Sequence, residues 1–295
     1  MTDVRQRRIA VIFNPTAGRR HGWRFQATVE RLEGQVTLYR TTKPGDATEM
    51  ASSMVGEGID VVVAAGGDGT INEVVNGMAG SSLALGIIPL GTANVMAHEL
   101  GIGTRPDKVA AAINSGKRRR LHLGRVHSAD QPGGRLFVLM AGAGFDAQVV
   151  ADVSSALKRH TGVLAYVVET IGGAMKYPFP KLSVNVDGHA HEAVTAVVCN
   201  GPLYGGPFVA APKADLTKPG FEVRLLLRPG LRNVLRYGAA LVMGRLDTLP
   251  DALSVLGSKV VIDGPVGAPV QGDGDILAHL PATITVADET VDVLG

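Results

Sequence analysis

Through residue 121 the chain alternates short apolar runs with stretches whose apolar residues recur every three or four positions. These are the periods of buried strands and core-facing helices. Residues 9–13 read as a strand that ends in the loop Asn14-Pro15-Thr16-Ala17-Gly18. Phe25, Val29 and Leu32 mark a helix, and residues 36–39 a second strand. A helix after Asp46 places Ala47, Met50, Ala51, Met54 and Val55 on one face. Asp46 with Glu49 three residues later has the form of a capping box. Val61-Val62-Val63-Ala64-Ala65 has no polar face, as a strand covered on both sides of a parallel sheet requires. Beyond it, Ile71, Val74, Val75 and Met78 keep the spacing of a core-facing helix. Residues 85–89 form the next strand, Gly91-Thr92-Ala93-Asn94 leads into a helix through Leu100, and Val109, Ala112 and Ile113 mark a last helix closed by Gly116. Such alternation predicts a doubly wound parallel sheet, whose ligands bind at the carboxyl ends of the strands. The loops at residues 14–18, 66–70 and 91–94 lie at such ends, joined by Thr41 and Thr42, and converge on one edge.

After about residue 121 the pattern changes. Residues 182–186 alternate apolar and polar, Asp187-Gly188 follows, and a second run extends from Ala193 to Cys199. Asp-Gly between such runs is a strong hairpin signal. Residues 135–140, 221–227, 259–262 and 282–286 also read as strands, and helical patterns cover residues 149–176 and 231–244. Together they predict an α/β nucleotide-binding domain at 1–121 and a mainly antiparallel β-sandwich at 122–295, with the active cleft between them. The last strands are candidates for a return to the first domain.

Composition narrows the function classes. A 295-residue chain with 45% hydrophobic and 19% charged residues is ordinary for a globular protein. A formal charge of +2 gives no argument for nucleic acid. Arg118-Arg119-Arg120 after Lys117 is the one dense basic cluster, and it reads as a solvated edge or, secondarily, as a contact for a phosphate or an anionic membrane. With Cys199 the only cysteine, no intrachain disulfide forms, which fits a reducing cytoplasm. The first apolar run is too short for a signal peptide and no run approaches a membrane span, so the expectation is a cytoplasmic protein whose membrane contact is peripheral.

Gly66-Gly67-Asp68-Gly69-Thr70 carries the chemistry of the first domain. Glycines permit sharp turns and close approach by a ligand. The start of the following helix offers unpaired N–H groups and a positive dipole end to an anion. An acid in such a loop calls for a cation or a polar network to offset it, so the loop reads as a nucleotide-phosphate site in which Asp68 works with a metal ion or such a network. An ordinary βα turn is the plainer alternative for the glycines taken alone.

With its neighbours the loop forms a wider pattern: Asn14-Pro15-Thr16-Ala17-Gly18, Thr41 through Gly45-Asp46-Ala47, the 66–70 loop with Asn72-Glu73, and Pro89-Leu90-Gly91-Thr92-Ala93-Asn94. It continues through Gly142-Ala143-Gly144-Phe145-Asp146-Ala147, Tyr204-Gly205-Gly206, Ala211-Pro212 and Gln271-Gly272-Asp273-Gly274-Asp275. Nearly end to end, this resembles the diacylglycerol kinase catalytic-domain family, which includes bacterial lipid kinases and sphingosine kinases. The glycine loop alone would also suit NAD kinase or a phosphofructokinase-like fold; residues 89–94 and the late Asp-Gly-Asp favour the lipid kinases.

The resemblance implies ATP-dependent phosphorylation of a lipid hydroxyl in phospholipid metabolism, at the inner face of the membrane. It implies ATP along Asn14, Pro15, Thr16, Ala17, Gly18, Thr41, Gly66, Gly67, Asp68, Gly69, Thr70, Ile71, Asn72 and Thr92, with Asp68 tied to the ATP-bound Mg²⁺. It also implies a catalytic base in the late acidic turn, where the family has Asp-Gly-Glu and this chain has Asp273-Gly274-Asp275. Asp275 reads as the proton acceptor, with Asp273 orienting it or taking the role itself. Asp146 belongs to a family motif without an assigned chemistry.

Two departures matter. His122 stands where the family commonly has an acid before a Leu-Gly pair, and Lys218 follows Pro212-Lys213-Ala214 where the family carries a metal-binding Asp. Asp215 falls three residues early, and a lysine cannot ligate Mg²⁺. The family's structural metal site is therefore expected to be absent or rearranged. These departures keep two other readings open: an inactive nucleotide-binding regulator of the same fold, and a kinase for a soluble acceptor such as NAD. The histidines show no zinc spacing; His189 and His191 read as solvent-facing, and Lys158-Arg159-His160 as a solvated turn. Homodimerisation is compatible with the pattern but marked by no motif, and the acceptor lipid is left open between diacylglycerol, a sphingoid base and another glycerolipid.

Overall fold

The structure is a computed structural model that describes residues 6–17, 22–156 and 177–295. Gly18 and Lys158-Arg159-His160 lie outside the described residues. The chain divides into two compact units, Met1–Leu121 with Asp288–Gly295, and His122–Ala287.

In the first unit the elements run β1 (Arg8–Phe13), α1 (Gly22–Val29), β2 (Gln35–Arg40), α2 (Asp46–Ser53), β3 (Val61–Gly66), α3 (Asp68–Met78), β4 (Ala84–Pro89), α4 (Val95–Glu99) and α5 (Pro106–Ser115). The strands pair in parallel in the order β2-β1-β3-β4. Because β1 lies between β2 and β3, the winding reverses at β1 and β3, where ligands bind in open α/β sheets. Every residue of β3 and β4 is buried, which is why neither shows a polar face.

Strand β5 (Arg118–Ser128) begins in the first unit and continues into the second, which holds β6 (Gln131–Phe137), β7 (Met140–Gly144), α6 (Phe145–Ala156), β8 (Leu182–Val186), β9 (His189–Ala193), β10 (Thr195–Cys199), β11 (Leu203–Tyr204), β12 (Phe208–Val209) and β13 (Phe221–Leu226). It continues with α7 (Leu231–Val242), β14 (Ala252–Gly257), β15 (Lys259–Asp263), β16 (Pro269–Gly272), β17 (Asp275–His279) and the first part of β18 (Ala282–Leu294), whose residues from Asp288 on belong to the first unit. β14-β13-β10-β7-β16-β17 form an antiparallel sheet, and β15 joins β18 and β8, which pairs with β9, in a second. Phe137, Val184, Val198, Val223, Leu225, Ile262 and Ile284 from both sheets share one core, giving the sandwich. The end of β18 runs parallel beside β4, through Asp292↔Ala84 and Val293↔Leu85.

Several local expectations change. Asp46 does not cap its helix: Gly45, at φ 90°, is the N-cap, and the Asp46 carboxylate turns back to Thr42 N and Oγ1, both at 2.7 Å, and to Lys43 N at 3.0 Å. Helix α2 ends at Ser53, so Val55 falls beyond it and is exposed; Leu32 likewise lies beyond α1. The single strand expected at residues 135–140 splits into β6 and β7, because the N–H groups of Val138, Leu139 and Met140 go to the Asp273 carboxylate. The Asp187-Gly188 hairpin joins β8 to β9, while β10 pairs with β7 and β13 in the other sheet. The run from Ala193 to Cys199 is thus a crossing between sheets rather than one strand. His189 is exposed, but His191 is half-buried, and its Nε2 has no hydrogen-bond partner among the described residues. Arg118 and Arg120 remain at an exposed edge, where both approach Asp292, at 3.6 and 2.9 Å.

Candidate functional site

In the first unit the loops after β1, β3 and β4 are tied to one another around the start of α3. Backbone bonds hold their bases, from Asn14 N to Ala65 O at 2.9 Å and from Leu90 N to Gly66 O at 2.8 Å. Asn14 Nδ2 donates to Thr70 Oγ1 at 3.1 Å, and Asn14 Oδ1 accepts from Thr16 N at 3.0 Å and Thr16 Oγ1 at 2.7 Å. One asparagine thereby fixes the Asn14-Pro15-Thr16-Ala17 turn against the helix start. Thr41 continues the edge through its N–H to Phe13 O at 3.0 Å.

Gly67 and Gly91 meet backbone to backbone. A Cβ on Gly91 would stand 2.7 Å from Gly67 Cα, a separation that side-chain carbons do not tolerate. A Cβ on Gly66 would fall 2.4 Å from Thr70 Oγ1. The glycines here are demanded by close approach, not only by turn geometry. Helix α3 then begins at Asp68, with Ile71, Val74, Val75 and Met78 in the core. Ile71 therefore offers no side chain to a ligand, Asn72 is buried beside Asn76, and Thr92 stands exposed.

Asp68 Oδ1 accepts from Met96 N at 3.2 Å, which links the glycine loop to α4. Burial pushes its carboxyl above the usual range, against the backbone N–H groups that favour the anion. Asn94, which sequence reasoning quoted but did not place in the site, takes the left-handed conformation at φ 48°. Its Nδ2 donates to Gly91 O at 2.8 Å, while its buried Oδ1 has no hydrogen-bond partner among the described residues. The signal was present in the residue type, since asparagine tolerates that conformation.

The second unit holds the acidic turn. Gly272↔Asp275 close the β16–β17 hairpin over Asp273 at φ 50° and Gly274 at φ 86°, the two left-handed residues of a type I′ turn. The Asp273 carboxylate accepts Val138 N at 2.7 Å, Leu139 N at 2.9 Å and Met140 N at 3.1 Å, and Asp273 N returns a bond to Met140 O at 3.0 Å. Asp275, the first residue of β17, is half-buried. Below the hairpin, Tyr204 Oη and Gln271 Nε2 donate to the two oxygens of Asp146, the latter at 2.8 Å. Burial raises the Asp146 carboxyl, opposed by these two bonds. Asp215 pairs with Lys218 at 3.0 Å and accepts two bonds from Thr217, which hold its carboxyl at about 2.

A cavity of about 260 Å³ lies within the second unit. Its walls are chiefly apolar, among them Phe145, Val149, Phe179, Val194, Leu226 and Leu241, with Val234, Tyr237 and Gly238 contributed by α7. Asp146, Thr195, Tyr204, Arg224 and Arg228 are polar residues of its lining, beside Tyr237. Sequence reasoning missed Arg224; the only hint was the Glu222 and Arg224 pair in the otherwise apolar Phe221–Leu226 strand.

Two family descriptions match the chain. That of the diacylglycerol kinase catalytic domain matches residues 8–126, and that of the YegS C-terminal NAD kinase beta sandwich-like domain matches residues 140–295. A diacylglycerol kinase of Bacillus subtilis is 32% identical over 248 residues, spanning 81% of this chain and 80% of its own. One of Mycobacterium tuberculosis is 27% identical over 253 residues, spanning 84% and 81%. A crystal structure of a diacylglycerol kinase from Bacillus anthracis superimposes with a TM-score of 0.77 at 19% identity, spanning 99% of this chain and 98% of that one. That likeness shows the fold.

Proposed function

The chain belongs to the diacylglycerol kinase family and is a lipid kinase; from that premise we propose that it transfers the γ-phosphoryl group of ATP to the hydroxyl of a diacylglycerol-like or sphingoid lipid. The observation that carries the nucleotide part is the set of three loops locked around the start of α3. Their N–H groups and the helix dipole suit phosphate oxygens. The Gly67–Gly91 contact lets backbone, rather than side chains, line that edge.

Among the described residues, no three His, Cys, Asp or Glu side chains gather into a metal cage. A lone Asp68 carboxylate suits an ion that takes its remaining ligands from phosphate and water, as Mg²⁺ does. Asp68 would hold the Mg²⁺ that arrives on ATP, which when bound offsets the phosphate charge. The family's structural metal site is, in this reading, replaced by the Asp215–Lys218 pair.

For the acceptor, a primary alcohol needs a carboxylate to take its proton while its oxygen attacks the γ-phosphorus and ADP leaves. Asp275 takes that role. Asp273 spends its oxygens on three backbone N–H groups and serves as the anchor of the turn. The acceptor's aliphatic portion occupies the apolar cavity of the second unit.

Helix α7, which lines that cavity on one face, exposes Leu235 (50%) and Val242 (62%) with Arg232 and Arg236, and the residues just after it expose Met243 (60%) and Arg245. Exposed apolar side chains flanked by arginines suit the surface of an anionic membrane. Among the described residues no helix is long and apolar enough to cross one. The reading is tested by offering radiolabelled ATP with diacylglycerol, a sphingoid base or NAD. Label in a lipid product supports it, label in NADP moves it to a soluble acceptor, and nucleotide binding without transfer to any of them favours a regulator.

A further inference from the structure

Asp146, Tyr204 and Gln271 belong to motifs that stand out in the sequence, yet the transfer step described above gives none of them work. The structure joins all three. Asp146 lies in the first turn of α6 and Gln271 on β16, and they are 8% and 2% exposed. Gln271 Nε2 donates to Asp146 Oδ2 at 2.8 Å, and Gln271 Oε1 accepts from Gly274 N at 3.1 Å. On the far side, Tyr204 Oη donates to Asp146 Oδ1. The chain of bonds thus runs from Tyr204 through Asp146 and Gln271 to Gly274, and stops one residue short of Asp275.

Each link fixes the next. A backbone N–H can only donate, so the Gln271 amide must turn its carbonyl to Gly274 and its NH₂ to Asp146. The Asp146 oxygen that it meets must then accept. A reversed amide would set two donors against each other at Gly274 and leave buried polar groups unpaired, which is costly. Room is kept for this arrangement on β7: a Cβ on Gly142, the residue paired with Gln271, would stand 2.8 Å from Asp146 Oδ2. The β16–β17 register also shifts between Val270 and Gln271, and such irregularities re-aim side chains. The turn is therefore tied twice, at Asp273 to residues 138–140 and at Gly274 to the Gln271 amide.

We propose that Asp146 and Gln271 are positioning residues for phosphoryl transfer, which act through Gly274 to set the direction in which Asp275 meets the acceptor hydroxyl. The inference rests on the reading of Asp275 as the proton acceptor. It adds the buried pair that aims it. A misplacement of about 1 Å at such a group is enough to slow a reaction ~10²-fold.

The test is a double-variant cycle read in single turnovers, with γ-labelled ATP, Mg²⁺ and 1,2-dioctanoylglycerol at saturation. Gln271→Met removes both bonds at similar volume and is expected to slow transfer about tenfold or more, with ATP affinity unchanged. In an Asp275→Asn background the same change should slow the residual rate less than about threefold, because groups that act as a unit are not additive. Gln271→Glu sets a second carboxylate against Asp146 and should be slow as well. The exchange Asp146→Asn/Gln271→Glu keeps the net charge, lets the new amide donate to the new carboxylate, and leaves an oxygen to accept from Gly274 N. It should return to within about threefold of the wild-type rate. Should Gln271→Met fail to fold, the cycle is run with Gln271→Glu.

A loss that is as large in the Asp275→Asn background as in the wild type shows that the network only holds the fold, and overturns the inference alone. So does an undiminished rate in either single variant, or an exchanged pair no faster than Gln271→Glu. An Asp275→Asn protein as fast as wild type overturns the proton-acceptor reading, and the inference with it.

Discussion

Asp273 and Asp275 sit two residues apart in one hairpin, yet their surroundings give them different work. Three short N–H bonds make Asp273 a fastener for the segment between β6 and β7. Bonds to a charged acceptor are worth about 1.5–3 kcal/mol each, so Asp273→Asn should lower the melting temperature and activity together. Asp275→Asn should cost less melting temperature than Asp273→Asn while activity falls by about 10²–10⁴-fold, the usual range for a lost proton acceptor. Differential scanning fluorimetry beside a transfer assay separates the two. For Asp68, burial disfavours the anion, so the folded carboxyl titrates above its ordinary value of 3.8. The destabilisation is fully present above that raised pKa, and it is relieved as pH falls through it and the folded state takes up the proton. Asp68→Asn should therefore raise the melting temperature at neutral pH, with the gain shrinking as pH is lowered, while transfer is lost. A variant less stable than wild type at neutral pH would contradict this account of the loop.

The loops of the first unit were legible because each is punctuated by strands and helices whose periods differ sharply. Val61–Gly66, apolar throughout, and Asp68–Met78, with its apolar residues three and four apart, flank the glycine loop and fix where it lies. Less legible were features that depend on distant partners. Asp46 looked like a cap because local spacing cannot reveal that its carboxylate turns back to Thr42 and Lys43. Residues 193–199 looked like one strand because apolarity does not say which of two sheets a residue joins. The division of labour between Asp273 and Asp275 required the fold to bring residues 138–140 to the turn. At this scale Gly91→Ala tests the nucleotide edge. Its methyl group would press on the Gly67 backbone and part the two loops, and overpacking of this kind costs about 1–3 kcal/mol. ATP affinity should fall at least tenfold, measured by titration with a non-hydrolysable analogue. Wild-type affinity would show that the close approach plays no part in binding.

For the whole molecule, the doubly wound parallel sheet and the antiparallel sandwich were both readable from the switch in pattern near residue 121, and the family matches cover both halves. The cavity and Arg224 were not readable, since a buried ion pair in a strand carries no sequence period. Helix α7 joins two scales, lining the cavity with Val234 and Tyr237 while Leu235 and Val242 face outward. Leu235→Glu with Val242→Glu should reduce sedimentation with anionic vesicles about tenfold or more without lowering activity on detergent-dispersed lipid; unchanged sedimentation would place the membrane contact elsewhere. The central claim, phosphoryl transfer from ATP to a lipid hydroxyl with Asp275 accepting the proton, is tested most directly by one single-turnover experiment. Wild-type and Asp275→Asn proteins, loaded with γ-labelled ATP and Mg²⁺, are mixed with diacylglycerol and the organic phase is counted over time. The account predicts rapid appearance of labelled phosphorylated lipid with the wild type, and a rate at least a hundredfold slower with Asp275→Asn at equal ATP occupancy. Equal rates for the two proteins, or no lipid label from either, would contradict it.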